Sequence, residues 1–254
     1  MNPFTGSPLE GRCGAWSARK QCIVEGMQDP LWIKSLLGVH IAAGATAFLM
    51  APLALVAAKG GKAHRRWGKI YFWSMAVVAS TALVLALYRP IFFLALVAVF
   101  SFYAAFSAYR VLFQKNLPNG QKVTWPDWSA AVFTFASSFS LVLLGFLRLG
   151  HNLRIPAIVF GFLGMWLAAK SMWRFLHPPK EKMFWVYQHL GSMLVSYIAA
   201  WTAFSVTTIG RFVQGGWLIW VLPTIIGSPA IALTTAYYKR KFTPRAKIGA
   251  SSNA

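Results

Sequence analysis

The sequence predicts an all-α, polytopic transmembrane helix bundle of about seven spans, with the N-terminus outside and the C-terminus inside. Three observations lead there. The 254 residues are 57% hydrophobic and only 12% charged, where soluble domains carry about 45–50% and about 25%, and the mean hydropathy is +0.53. The apolar residues are gathered in seven long runs without period-2 alternation, which selects helices over a membrane barrel. The basic residues fall between these runs, heavily on alternate connections. So little charge cannot cover a water-facing surface, and soluble folds, collagen and intrinsic disorder are excluded.

Residues 1–26 form neither a span nor a signal peptide, because they lack an apolar h-region. They are expected to be a disordered or mis-assigned extension, with Met27 as an alternative start. One bundle domain is expected over 27–240 and a basic cytoplasmic tail over 241–254. The first apolar run covers about Leu31 to Ala58, and the second about Ile70 to Tyr88. Arg89-Pro90 interrupts before a third run to about Tyr109. The fourth covers about Trp128 to Leu147, with Trp125-Pro126-Asp127-Trp128 as its start and Asp127 as the expected N-cap. The fifth covers about Ile155 to Ala169, the sixth about Met183 to Ile209 and the seventh about Trp217 to Tyr238. Each can cross a hydrocarbon core of about 30 Å, the fifth with help from its flanks. Pro223 and Pro229 are expected to kink the seventh.

The orientation follows from Lys and Arg. Seventeen of them lie after the first, third, fifth and seventh runs, and four (Arg89, Arg148, Arg154 and Arg211) lie on the alternate connections. By the positive-inside rule the former face the cytoplasm. The chain holds 25 Lys+Arg against 5 Asp+Glu, a formal charge of +20. In a soluble protein this would suggest nucleic acid. Interleaved with spans, it points instead to the lipid bilayer, with anionic headgroups at the inner face worth about 1 kcal/mol per basic residue. No nucleic-acid partner is expected, and no protein partner is legible.

The chemistry available is narrow. The two cysteines, Cys13 and Cys22, precede the first run and form no C-x-x-C, which removes iron–sulfur clusters, covalent c-type haem and Cys-based zinc. No Asp or Glu lies in the middle of a run, which removes carboxylate proton relays and di-iron sites. His189 and Ser192 share a helix face, but no G-x-S-x-G elbow surrounds the serine. No catalytic residue is assigned. Tyr103, Ser107 and Arg110 form a polar stripe at helical spacing, read as interhelical hydrogen bonding or the lining of a water-filled path.

Five histidines remain. His40 falls in the outer part of the first span and His151 in an outer connection. His189 falls in the inner part of the sixth span, and His64 and His177 fall in inner connections. His40-x3-Gly44 places a small residue one turn from an imidazole, an arrangement that lets a flat ring approach a helix. Small faces also serve helix packing.

The runs around His40-x3-Gly44, Gly60 to Tyr71 and Gln188 to Phe204 resemble the bacterial domain-of-unknown-function 2306 family of polytopic membrane proteins. The most distinctive piece is His64-Arg65-x2-Gly68-x2-Tyr71. The likeness covers about Leu31 to Ile209. It implies a bacterial inner (plasma) membrane location and no particular reaction, and it singles out His40, His64 and His189. A looser analogy with b-type cytochromes, which hold haem between histidines of different helices, suggests a redox role. The cofactor-binding candidates are therefore His64, His189 and His40, with His64 and His189 as an inner pair and b-type haem or a metal as the occupant. The pairing requires ring separations below about 14 Å. A small-molecule transporter or sensor, and a membrane scaffold without cofactor, are the alternatives.

Overall fold

The computed structural model describes residues 29–89, 91–212 and 216–242, with the backbone alone for Arg211 and Phe242. Cys13, Cys22, the extension 1–26 and most of the basic tail lie outside the described residues. Among those described, the regular structure is helical throughout: α1 (Leu31–Val56), α2 (Lys62–Tyr88), α3 (Phe92–Arg110), α4 (Trp125–Leu147), α5 (His151–Leu176), α6 (Phe184–Thr208) and α7 (Leu218–Phe242), with short 3-10 turns after α3 and α6. All seven are long and apolar enough to cross a membrane. The chain is an integral, multi-pass membrane protein. Short connections make successive spans antiparallel, so α2, α4 and α6 run in the same direction.

Many large apolar side chains stay exposed, among them Leu31, Leu49, Trp73, Phe133 and Leu233. That is the surface a hydrocarbon solvent calls for. The interior is built mainly around α3. One core joins Phe93, Phe100, Tyr103 and Ala104 of α3 to Ala131 and Leu141 of α4 and Ala157 and Phe160 of α5. A second joins Ala47 and Ala51 of α1, Tyr71, Phe72 and Met75 of α2 and Ala105 of α3, with Met193, Tyr197 and Ala200 of α6 packed against it.

Small residues set the closest approaches. A Cβ added at Gly161 of α5 would lie 2.9 Å from the Ser138 carbonyl oxygen of α4 and still closer to the Val142 side chain. Lipid offers no hydrophobic drive between helices, so van der Waals contact at such seams carries much of the association. Gly227 of α7 abuts Ile198 of α6 in the same way.

Three sequence expectations are corrected. α2 begins at Lys62, eight residues before the apolar run, so His64 belongs to a helix and not to a hydrophilic connection. α5 runs from His151 to Leu176, which makes His151 its first residue. In both cases the added turns are polar and invisible to hydropathy. Thr124, not Asp127, occupies the N-cap of α4, and Asp127 is three residues into the helix. Its Oδ2 reaches back to accept the Thr124 N–H at 3.3 Å. Pro223 and Pro229 both lie within α7, which stays helical across them.

Candidate functional site

His64 stands in the first turn of α2, and its Nδ1 lies 2.9 Å from the Ala54 carbonyl oxygen. Ala54 is in the last turn of α1, where carbonyls lack intrahelical partners. His189 stands in the second turn of α6, and its Nδ1 lies 2.8 Å from the Ala108 carbonyl oxygen, near the end of α3. A carbonyl only accepts, so each imidazole donates from Nδ1. In the neutral ring each Nε2 then keeps its lone pair. The two rings meet with centroids 6.3 Å apart and planes at 76°. The sequence-predicted inner pair is thus brought together, well inside the separation that would have kept the two apart.

The pair sits between two helix C-termini. The negative ends of the α1 and α3 dipoles point toward it, which favours positive charge there. Lys59 also enters this region. Its ammonium donates to the Leu55 carbonyl at the end of α1 and interacts electrostatically with His189. Burial holds the Lys59 ammonium below its ordinary pKa.

Beneath the histidines, the Tyr71 hydroxyl of α2 meets the Ser196 hydroxyl of α6 at 2.7 Å. Both residues are buried. Tyr71 is two turns from His64, and Ser196 is two turns from His189. Between these layers lies Gly68, one turn from His64. A Cβ added there, or at Gly191 beside His189, would meet no atom within 4 Å. His64, Gly68 and Tyr71 are the residues of the distinctive sequence piece, and they share one face of α2. Gly68 enters the sequence reading through the family resemblance, and His64-x3-Gly68 repeats the spacing of His40-x3-Gly44.

His40 is separate. Its Nδ1 lies 2.9 Å from the Thr81 hydroxyl, which itself donates to the Val77 carbonyl at 2.7 Å. The hydroxyl proton is spent on Val77, so His40 donates to Thr81. Thr81 is 17 residues along α2 from His64, about 25 Å at the helical rise. His151 is not its partner in this arrangement. The Ser192 hydroxyl accepts from Gln188 Nε2 at 2.8 Å, which ties it to a neighbour on its own helix.

No group of three or more His, Cys, Asp or Glu side chains converges among the described residues. A closed three- or four-ligand protein site of the zinc type is therefore not formed by them. What the His64–His189 pair offers is two neighbouring imidazoles whose Nε2 lone pairs are not taken up by those carbonyls. Imidazoles on opposite sides of one metal, each nitrogen about 2 Å from it, have centroids roughly 6 Å apart. The observed separation fits that arrangement, and the open space at Gly68 and Gly191 is compatible with a flat ring edge. No family model, curated protein or solved structure matches the chain.

Proposed function

We propose that His64 and His189 are paired ligands of one redox-active centre, a b-type haem iron or a metal ion, at the inner side of a bacterial inner membrane. The observation that carries this reading is the pinning of both Nδ1 atoms by backbone carbonyls while the ring centroids lie 6.3 Å apart. Metal-ligating histidines are commonly held this way, because the outer hydrogen bond fixes tautomer and ring orientation and raises ligand basicity. A haem bound there would supply one-electron transfer. The chain's own contribution is to hold the two imidazoles, to keep bulk off α2 at Gly68, and to favour cationic charge through the ends of α1 and α3. His40 contributes to a different level of the bundle.

The same proposal places the N-terminus outside, supported by the seventeen-to-four division of basic residues, and sets anionic headgroups against the inner connections. The resemblance to the domain-of-unknown-function 2306 family belongs to this reading, since His64, Gly68 and Tyr71 line the α2 face involved.

The test is an absorption spectrum of the full chain purified in detergent, with and without dithionite, beside a metal analysis. A Soret band or stoichiometric metal that is lost in both His64→Ala and His189→Ala, and kept in His40→Ala, supports the reading. A colourless, metal-free protein overturns it.

One observation favours a second reading. Each histidine caps the C-terminus of a neighbouring helix, and such caps are structural in their own right. On that reading the pair fastens α2 to α1 and α6 to α3, and the protein is a transporter, sensor or scaffold without cofactor.

A further inference from the structure

At the far side of α3 from the histidines, the ends of α3, α4 and α5 border a small, partly open cavity of about 10 Å³, lined by Tyr103, Ser107, Arg110, Gln114, Asp127 and Arg174, with Phe106 and Phe175 completing the wall. Most polar atoms around it are committed. Arg110 grips Asp127 with Nε on Oδ1 at 2.8 Å and Nη2 on Oδ2 at 2.9 Å. Asp127 Oδ2 also accepts from the Thr124 hydroxyl at 2.6 Å. Ser107 donates to the Ala104 carbonyl, and Tyr103 pairs with Ser171.

Two atoms remain. Gln114 is 4% exposed, and its Oε1 has no hydrogen-bond partner; neither has the buried Nε–H of Arg174. One is an acceptor, the other a donor, and both belong to residues lining the same cavity. A buried donor or acceptor left unpaired forfeits the hydrogen bond it would make in water. We propose that one water molecule resides there, donating to Gln114 Oε1 and accepting from Arg174 Nε–H.

The chemistry selects water over the other small occupants. A halide accepts from Arg174 but gives nothing to an amide oxygen. A cation suits the amide oxygen but meets two guanidiniums and a single, already paired carboxylate. Water supplies both roles, and the volume is about the least that holds a single water. Tyr103 and Ser107 offer oxygens for its remaining capacity. The water would join the turn after α3 to α5, near the level where Arg110 and Asp127 join α3 to α4.

The experiment is a structure of the full chain at a resolution that shows ordered solvent, collected with and without bromide in place of chloride. The expected result is one solvent peak within hydrogen-bonding distance of both the Gln114 amide and Arg174 Nε, with no bromide signal, and loss of that peak in Gln114→Met. A bromide peak, an empty cavity, a direct Gln114–Arg174 bond, or a peak that survives in Gln114→Met overturns the proposal. The unsubstituted protein decides the matter if Gln114→Met does not fold.

Discussion

Tyr71 and Ser196 are hydrogen-bonded at 2.7 Å, and they stand in the same register as the pair above them. Each is seven residues beyond a histidine, Tyr71 beyond His64 and Ser196 beyond His189. Two parallel helices therefore keep one alignment over two turns, with an imidazole layer and a hydroxyl layer. Seven residues are close to two helical turns, so matched pairs at this spacing remain on facing sides.

This bond has a measurable share in the α2–α6 contact. Tyr71→Phe leaves a fully buried Ser196 hydroxyl without its partner. It is expected to lower stability by about 0.6–2 kcal/mol. Adding Ser196→Ala should cost little more. Denaturation of the three variants in detergent checks this, and additive losses would show that the two hydroxyls do not act as a pair.

Gly68 separates a ligand site from a cap. Gly68→Leu puts bulk into open space beside His64 while leaving both imidazoles and their carbonyl partners in place. On the proposed ligation the haem spectrum is expected to disappear while the protein still folds and inserts, with thermal stability falling only by the share the bound cofactor had contributed. If colour is retained in Gly68→Leu, the cofactor does not use this face of α2.

The Arg110–Asp127 pair holds the end of α3, and Ala108, which carries His189, is two residues from Arg110. Asp127→Ala leaves a guanidinium without its carboxylate, a change that costs about 3–5 kcal/mol for a buried pair. Arg110 is partly exposed, so the expected loss falls toward or below the lower figure. Weaker metal or haem retention should accompany it, read as faster cofactor loss on dilution. Unchanged retention in a destabilised protein would show that the two sites are independent.

Gly161 tests the α4–α5 seam. Gly161→Ala drives a methyl against the Ser138 carbonyl and the Val142 backbone, where no side-chain rotation can make room. A loss of about 1–3 kcal/mol is expected from such overpacking. Gly38→Ala, inside α1 and with nothing within 4 Å, is the control and should cost nothing or stabilise by up to about 1 kcal/mol.

Orientation is open to cysteine labelling from outside intact cells. Asn152→Cys is expected to react, and Lys62→Cys is not. Reaction at Lys62→Cys would reverse the topology.

The architecture was legible because a lipid solvent imposes length and apolarity on every span, and seven runs met both demands. Helix ends were less legible. Lys62, Arg65 and Arg66 depress the hydropathy of the first turn of α2, so His64 read as part of a loop. The meeting of His64 with His189 had a sequence basis in their expected common side of the membrane and in the resemblance that singled both out. Their carbonyl partners had none, since Ala108 and His189 are 81 positions apart and any backbone carbonyl can serve. Thr81 was equally hidden as the partner of His40, because threonine in an apolar run looks like packing. Gly68 was readable from its spacing to His64, but an isolated glycine in a helix carries no sign of whether its neighbourhood is full or open.

The closed Arg110–Asp127 contact also bears on how the chain is made. α3 carries the cation and α4 the carboxylate, with 17 positions between them. Emerging alone, each segment would present an unmatched ion to the insertion machinery, at up to about 2.5–3.5 kcal/mol for a residue at mid-membrane and less near a helix end. Emerging together, they match Arg110 with Asp127 in a hairpin whose turn, from Val111 to Thr124, keeps Lys115 and Lys122 on the side of synthesis in the proposed orientation. In that orientation, release of α3 and α4 into lipid as a couple spares each helix the cost of its lone ion.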